Sequence, residues 1–480
     1  MTTVRLSVLL GLAALAAAPR AEAYEDNYWP AVVQQKDEAG QTLSWSGAGP
    51  FLFSRPSAGP EAGTEEGFRP FYAKITGGGS VRYDFLYPLF FYRQYPDAYK
   101  WSVFELINGA GYDEKVTRAG GPKDRHFDVW PFYFSHESDT REDTYHALFP
   151  VAGQIKYRLG FTRASWVLFP LFAQTEKRHT ISTYTPWPII RTARGESNGF
   201  DLWPLFGSTS GPGPARRFFA LWPLIWNNVL EPKPNAPEGS PPGREFGFLP
   251  FYTRETGPGY LNENYVWPFF GHTERTLPAR YSEQRYLWPF LVQGRGDGRY
   301  VNRWGPFFTH SNVKGEDSKW VLWPLWHQKR WVDGDTDQQK TQFFYFLYWS
   351  LYETSDSRPS APPAYKRHVW PVASIWDNGA GSRQVQVPSP LEVFFPDNRD
   401  IRASWTPLFS LYRYDREPTG EVRQSLLWNA VTWRRFGADG LVEFHVGPLL
   451  GMRPEAGGRA WTILGFDFGG KHGKDGGSTR

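Results

Sequence analysis

An apolar motif centred on a proline recurs along the whole of this chain. Residues 322–326 read Leu-Trp-Pro-Leu-Trp, and copies of the same shape lie roughly 20 residues apart. The most regular copies hold the pairs Trp203-Pro204, Trp222-Pro223, Trp267-Pro268, Trp288-Pro289 and Trp323-Pro324. Weaker copies, without a matching proline, bring the number of units to roughly 22 and stand around residues 104, 345–352, 393–395 and 426–428. Such a period is typical of a repeat architecture, and it constrains the fold more than any other feature.

Each repeat has the residue types of β-structure. Aromatic and β-branched residues surround the proline, whereas Gly-rich and charged segments such as 294–298, 312–317 and 333–337 separate the copies. Glycine supplies positive φ angles and Asn or Asp closes local hydrogen bonds, so these separators predict turns. Apolar runs bounded by such turns predict strands.

The proline leaves two models of the repeat open, because it cannot donate a hydrogen bond to a β-ladder. In the first model, each repeat is one strand of about a dozen residues with the proline at a mid-height kink. In the second, each repeat is a hairpin with the proline in a tight turn. We favour the first model, because the second leaves strand middles such as residues 299–303 with little apolar content. It predicts that the tryptophans before the prolines lie at one height in the sheet.

Composition limits the class of protein. The chain has no cysteine, 2 methionines, 41 prolines and 48 glycines, which excludes disulfides and argues against a helical protein. After the N-terminal segment, no apolar run reaches the length of a transmembrane helix. The 53 basic and 49 acidic residues give a net charge of +4, so a nucleic-acid partner is not indicated.

The N-terminus has the pattern of a secretory signal. The basic residue Arg5 precedes an apolar run at 6–18, and residues 21–23 read Ala-Glu-Ala, a small-x-small cleavage site. We therefore expect residues 1–23 to be a signal peptide. The mature protein is expected to begin at Tyr24.

The sequence shows no recognisable catalytic or metal-binding motif. Its ten histidines lack metal-ligand spacing, and His272, His310 and His327 are interpreted as interfacial residues near strand ends. Residues 333–337 resemble the start of a calcium loop but lack its glycine and terminal glutamate, so we interpret them as a solvated turn. We predict no enzymatic activity, no metal and no cofactor.

An exported, helix-poor chain of about 20 or more strands has three candidate folds. We favour an antiparallel meander closed into an outer-membrane-type β-barrel, because closure leaves no strand edge and charged turns flank an aromatic band. The alternatives are a soluble β-repeat or propeller and a β-solenoid. Residues 24–468 are expected to form this single all-β repeat domain, and residues 469–480 a disordered polar tail.

The apolar motif also bears on function. Around Pro289, strand alternation places Leu287 and Leu291 on one face. The same alternation places Trp288 and Phe290 on the other, so both faces are apolar at the expected strand centre. A porin differs, because its lumen face is polar. The apolar band spans roughly 17 Å, which is short for a membrane-crossing strand.

From this pattern we predict an outer-membrane protein whose partner is the lipid bilayer. It is expected to act as a passage or scaffold, for apolar or amphipathic molecules rather than for water-soluble solutes. The alternative is a soluble periplasmic or cell-surface protein that binds a glycan or a protein. Tryptophan stacks well on sugar rings, but its recurrence in most repeats favours a structural role.

Overall fold

The computed structural model describes most of the chain between Tyr24 and Phe468. Within that range the described residues exclude 38, 58–62, 114–119, 232–238, 397, 438–439 and 456–457. The expected signal peptide and the expected polar tail lie outside the described residues. The expectation of a single domain over 24–468 stays a prediction.

The described part of the chain is almost entirely β-structure. Its 44 strands form one antiparallel meander sheet, in which successive strands pair along the chain. This confirms the all-β antiparallel fold predicted from the repeat. Most strands hold five or six residues, which corresponds to a height of roughly 17–20 Å.

The chain divides into two compact units, one formed by residues 1–105, 335–342 and 346–480 and the other by residues 106–334 and 343–345. We call them the first and second unit. The first unit begins with β1 (Tyr24–Tyr28), β2 (Val32–Lys36), β3 (Thr42–Gly47), β4 (Leu52–Pro56), β5 (Thr64–Phe68), β6 (Tyr72–Gly77), β7 (Ser80–Phe85), β8 (Phe90–Gln94) and β9 (Ala98–Val103).

The second unit holds the longest uninterrupted run of hairpins. Its strands are β10 (Ile107–Tyr112), β11 (Arg125–Val129), β12 (Tyr133–Glu137), β13 (Tyr145–Leu148), β14 (Ala152–Lys156), β15 (Arg163–Val167), β16 (Phe172–Lys177), β17 (Thr180–Tyr184), β18 (Ile190–Gly195), β19 (Asn198–Leu202), β20 (Phe206–Ser210), β21 (Arg216–Ala220), β22 (Ile225–Leu230), β23 (Gly243–Phe248), β24 (Tyr252–Gly257), β25 (Tyr260–Tyr265), β26 (Phe270–Arg275), β27 (Tyr281–Tyr286), β28 (Leu291–Gly296), β29 (Arg299–Trp304), β30 (Phe308–Val313), β31 (Glu316–Val321) and β32 (Trp326–Asp333).

The remaining strands belong to the first unit, apart from Phe343 at the end of β33. They are β33 (Thr336–Phe343), β34 (Tyr348–Ser355), β35 (Ala364–Val369), β36 (Ala373–Asp377), β37 (Arg383–Val387), β38 (Tyr412–Arg416), β39 (Val422–Leu426), β40 (Val431–Phe436), β41 (Leu441–Val446), β42 (Leu450–Glu455), β43 (Gly458–Ile463) and β44 (Phe466–Phe468).

Two short helices interrupt the meander between β37 and β38. They are α1 (Arg399–Ser404) and α2 (Thr406–Phe409). The guanidinium of Arg82 on β7 lies 2.7 Å from the carboxylate of Asp400, and the indole N–H of Trp405 donates to the backbone carbonyl of Tyr87 at 2.8 Å. These contacts attach the helical insertion to the N-terminal strands of the same unit. The weaker motif copy at 393–395 lies in this insertion.

Each regular repeat forms a hairpin, with its motif in the turn. β19 ends at Leu202, residues 203–205 form the turn, and β20 begins at Phe206. The favoured model of one strand per repeat is therefore wrong, and the hairpin model is right. The prediction was wrong because apolar runs are typical of buried strand centres, whereas in this protein they occupy turns. The peptide bond before Pro204 is cis.

The motif turns of each unit share one edge of the sheet. Because consecutive antiparallel strands reverse direction, every second turn falls on the same edge. We call the end of the strands that carries these turns the aromatic-proline edge; the name denotes a row of turns and not an edge strand. The opposite edge, the polar edge, carries Gly-rich and charged turns such as those at 258–259, 297–298 and 314–315.

The strand faces also differ from the expectation around Pro289. Tyr286 and Leu291 stand directly opposite each other at the end of the hairpin, so they share one face. Arg285 and Val292 form the next pair, on the other face. The predicted strand with both faces apolar at its centre is therefore wrong, because those apolar residues are the turn.

The second unit has a hydrophobic cluster on one face of neighbouring hairpins. Its buried members are Tyr145, Ala147, Ile155, Trp166 and Ala173, which come from four consecutive strands. Small residues alternate with aromatic rings there, so the large rings fill the space beside the short side chains.

The interior of the first unit contains a polar network. The buried carboxylate of Glu25 accepts hydrogen bonds from Arg423 and Thr432, and its backbone N–H donates to Glu443. Burial acts to raise the pKa of Glu25, but the charges of Arg423 and His445 and the bond from Thr432 outweigh it and lower the pKa. An ionised carboxylate is tolerated in such an interior because it is paired.

Candidate functional site

The aromatic-proline edge of the second unit carries every tryptophan–proline pair singled out in the sequence. Each pair occupies an equivalent turn at the edge of the sheet, not a position at mid-height. The indole rings are 41–57% exposed and belong to Trp203, Trp222, Trp267, Trp288 and Trp323. The proline partners are Pro204, Pro223, Pro268, Pro289 and Pro324.

Neighbouring turns on this edge are hydrogen-bonded to each other. The N–H of Leu322 donates to the carbonyl of Phe307 at 2.7 Å, and the N–H of Trp323 donates to that of Pro306 at 2.6 Å. Within the turn, the N–H of Leu325 donates to Leu322 at 2.7 Å. The proline between them has no N–H, so every backbone donor of this turn has an acceptor. The same three kinds of bond recur in the turns 168–171 and 221–224.

The first residue of these turns has a left-handed backbone although it is not glycine. The φ angles are 45–51° and belong to Leu168, Leu221, Val266, Leu287 and Leu322. The side chains are 50–57% exposed. A left-handed conformation costs an L-residue about 1–2 kcal/mol, a cost that glycine avoids. An apolar side chain exposed to water contributes little free energy to offset this cost. These positions therefore combine a costly backbone conformation with an exposed apolar side chain.

An unbroken row of apolar side chains lies next to these turns on one face of the sheet. Cross-strand pairing links one residue from each of β18 to β32. The row is Ile190, Leu202, Phe206, Ala220, Ile225, Phe248, Tyr252, Tyr265, Phe270, Tyr286, Leu291, Trp304, Phe308, Val321 and Trp326. We call this side of the sheet the aromatic face.

Two residues further from the turns, the aromatic face is polar along β24 to β32, whereas Phe200, Phe218 and Phe246 continue the apolar surface on β19, β21 and β23. Tyr252 and Tyr265 of the row both donate their hydroxyls to the carboxylate of Glu263, at 2.6 and 3.0 Å. The indole N–H of Trp304 likewise donates to Asn302 at 2.8 Å. The bond from Tyr252 lowers the pKa of Glu263, while burial and that same bond raise the pKa of Tyr252 to about 12. These rings therefore direct their polar atoms away from the edge.

The opposite face holds a polar hollow just below the edge. Its volume is about 270 Å³, and it is lined by Arg191, Asp201 and Arg217 together with Tyr184, Pro188, Trp203 and Phe219. Asp201 Oδ2 accepts from Arg191 at 2.8 Å and from Arg217 at 2.7 Å. Two guanidinium groups and one carboxylate leave this hollow with an excess of positive charge.

A cluster of Asp124, His126 and His136 was missed in the sequence. The Nε2 atoms of the two histidines lie 3.1 and 2.8 Å from Asp124 Oδ1. Burial and the neighbouring His136 lower the pKa of His126, against the opposing charge of Asp124. The only sequence signal is the alternation of Asp124 and His126, because His136 is brought in by the hairpin register.

The histidines that were singled out in the sequence lie inside strands. His272 is the third residue of β26 and lies 3.4 Å from Glu263, and His310 is the third residue of β30 and lies 2.7 Å from Asp317. The interpretation as strand-end residues is therefore wrong for both, although His272 lies at the polar boundary of the aromatic face. His327, the second residue of β32, stacks on an indole ring.

In the calcium-like segment, Asp335 accepts hydrogen bonds from the side chains of Ser355 and Ser357 and from the backbone N–H of Ser357. These bonds lower the pKa of Asp335.

No protein-family model and no curated protein matches the chain. Among the described residues, no helix combines the length and the apolar character that crossing a membrane requires. The candidate site is therefore defined by geometry: a hairpin sheet with one apolar edge and one polar edge.

Proposed function

We propose that this protein is an outer-membrane protein whose aromatic-proline edge is immersed in lipid, and that it acts as a passage or scaffold for apolar or amphipathic molecules. The exposed leucines with left-handed backbones carry this proposal. In water, these residues combine an unfavourable backbone with an exposed apolar side chain. In lipid, the side chain gains the transfer free energy that offsets the backbone.

The height of the sheet favours immersion of the edge over complete crossing. A strand that crosses a bilayer needs about 9–11 residues, whereas most strands here hold five or six. On the aromatic face, the distance from Tyr265 to Glu263 is two residues, or roughly 7 Å. The turn and the apolar row together match the depth of about 5–10 Å that interfacial elements reach.

The backbone of the edge also suits lipid. Unpaired N–H groups cost several kcal/mol in hydrocarbon, which restricts the structures that enter it. The turns at 168–171, 221–224 and 322–325 pair their N–H groups with neighbouring turns and place a proline at the remaining position. A closed barrel would extend this pairing around the sheet without a free strand edge.

The Tyr and Trp rings of the apolar row support the same orientation. Aromatic rings with a polar atom favour the boundary between hydrocarbon and water. The bonds from Tyr252 and Tyr265 to Glu263 hold the hydroxyls on the water side of such a boundary. The secretory pattern of residues 1–23 supports export, and the antiparallel all-β fold suits the outer membrane.

Site-specific labelling tests the proposal, because the chain contains no cysteine. Leu322→Cys places a label on the aromatic-proline edge, and Asp297→Cys places one on the polar edge as the matched control. Each variant carries an environment-sensitive nitrobenzoxadiazole dye and is mixed with vesicles of phosphatidylethanolamine and phosphatidylglycerol. We expect a blue shift and quenching by nitroxide lipids at position 322. Position 297 should keep its aqueous emission and its quenching by iodide.

Equal quenching by iodide at both positions, in protein that does not float with vesicles, contradicts the proposal. Fractionation of the producing cells tests the cellular location separately. Recovery in the outer-membrane fraction is expected, whereas release by osmotic shock contradicts it. If lipid immersion holds, large steady ion currents in planar bilayers contradict a route for apolar molecules, because such currents indicate an open aqueous pore.

The hollow on the opposite face supports a second candidate, a soluble glycan-binding protein. Trp203 and Tyr184 offer rings for stacking, and Arg191, Asp201 and Arg217 offer hydrogen-bonding groups. Calorimetric titration with neutral and acidic oligosaccharides tests this function. Arg217→Gln should weaken binding at least tenfold, and heat signals that are unchanged by this substitution refute a site in the hollow.

A further inference from the structure

A second arrangement, far from the aromatic-proline edge, brings three ligand-type side chains together. His126 on β11 pairs directly with His136 on β12, and their rings are stacked with centroids 4.1 Å apart. Asp124 precedes β11 by one residue, and its Oδ1 atom lies within 3.1 Å of both Nε2 atoms. The potential ligand atoms of the three residues all lie within 4.8 Å of one another.

The chemistry of this set is that of a transition-metal site. Imidazole nitrogens suit zinc, copper, iron and nickel ions, and a carboxylate oxygen completes many such sites. Magnesium and calcium require mainly oxygen ligands, so two imidazoles disfavour them. The set differs from a simple acidic surface, because two of its three members are imidazoles.

The surroundings leave room for an ion. The side chains of Asp124, His126 and His136 are 49%, 37% and 17% exposed, so water can reach the open coordination positions. The nearby charges of Arg158 and Asp128 pair with each other at 2.8 Å and largely cancel. The cross-strand pairing holds the two histidine backbones opposite each other before any ion arrives.

We propose that Asp124, His126 and His136 form a binding site for a divalent transition-metal ion of the zinc type, with water in the remaining positions. The ion replaces the present bonds from the two imidazoles to the carboxylate. On binding, each imidazole passes its Nε2 proton to Nδ1 or releases it to water, which leaves the Nε2 lone pair for the ion. The stacked rings hold the two Nε2 atoms side by side, and each ring turns about its terminal χ2 bond, which has a broad energy profile, to face the ion. The proposal is independent of membrane binding.

Calorimetric titration of the metal-stripped full chain, purified without a polyhistidine tag, tests the site. We expect one zinc ion per chain at the tightest step and a tetrahedral absorption spectrum with cobalt. His136→Gln and Asp124→Asn should each weaken zinc binding at least tenfold. Asp124 is half-exposed, so its substitution leaves the fold intact, as circular dichroism should show. Magnesium should give no comparable heat.

His146→Gln is the matched control. His146 stands on the strand next to His136, but it pairs with Ser135 and therefore projects from the opposite face of the sheet. Zinc binding should be unchanged in this variant. Zinc affinity that is the same in wild type, His136→Gln and Asp124→Asn overturns the proposal, as does an equal loss in His146→Gln.

Discussion

Replacing the exposed turn leucines by glycine separates the affinity for lipid from the stability of the turns. We consider the fourfold variant Leu168→Gly, Leu221→Gly, Leu287→Gly and Leu322→Gly. Glycine adopts the left-handed conformation of these positions without the cost that leucine incurs. The substitution therefore removes apolar surface from the edge while leaving the turns at least as favourable as before.

The magnitude follows from exposure. Transfer of a whole leucine side chain from water to an apolar phase is worth about 1.5–3 kcal/mol. The four side chains are 50–57% exposed, so each contributes roughly 1 kcal/mol to lipid binding. Their joint removal weakens binding by roughly 4 kcal/mol, which is about a thousandfold in an equilibrium or dissociation constant.

Transfer between vesicles measures this loss. Protein bound to donor vesicles is mixed with an excess of acceptor vesicles, and its rate of transfer reports dissociation. We expect the fourfold variant to transfer up to about a thousandfold faster than wild type. Its free energy of unfolding in detergent, measured with urea, should not fall. The control is Lys314→Gly, which relieves a φ of 55° on the polar edge and removes no apolar side chain from the aromatic-proline edge.

Transfer at the wild-type rate refutes the assignment of the leucines to lipid contact. A similar acceleration in Lys314→Gly refutes it in another way, because the effect then comes from the turn backbone. A large fall in stability in detergent contradicts the statement that leucine is unfavourable at these φ angles.

Three further outcomes are expected. Arg423→Leu leaves Glu25 buried without its cation and should lower the free energy of unfolding by about 3–5 kcal/mol at neutral pH. Because folding lowers the pKa of Glu25, the stability that this pair gives the wild type is present above the unfolded pKa of 4.5 and is lost as pH falls through the folded pKa. Urea unfolding measured across pH tests this dependence. Gly247→Ala places a Cβ 2.2 Å from an indole ring and should cost about 1–3 kcal/mol in urea unfolding, whereas Gly257→Ala, with nothing within 4 Å, should cost less. N-terminal sequencing of the mature protein should begin at Tyr24, and an intact N-terminus contradicts the predicted cleavage.

The period of the repeat could be predicted from the sequence because it lies in the spacing of residue types along the chain. Prolines, aromatic pairs and Gly-rich separators recur at a spacing that predicts the number of repeats and an all-β fold. The position of the proline was not readable, because an apolar run favours a strand centre equally well. In the structure, residues 299–303 belong to β29 and are mainly polar, and the apolar motif lies in the turn that follows this strand.

The residues of the candidate sites are brought together by the register of strand pairing, which the sequence pattern does not predict. Glu263 and Tyr265 are neighbours in sequence alternation, but Tyr252 reaches the same carboxylate through the pairing of β24 with β25. His126 and His136 meet in the same way, through a hairpin whose turn length sets which residues stand opposite. One residue of slip moves every side chain to the other face.

The pairing of strands into hairpins has a consequence for how such a chain can change in length. In the second unit, successive strands pair with their sequence neighbours, so a repeat meets only the repeats on either side of it. Duplication or deletion of a whole hairpin preserves parity, and every later tryptophan stays on its own edge. Gain or loss of one strand inverts the parity of everything that follows and sends the later tryptophans to the polar edge. Growth by whole repeats is therefore compatible with this architecture, while growth by half repeats is not.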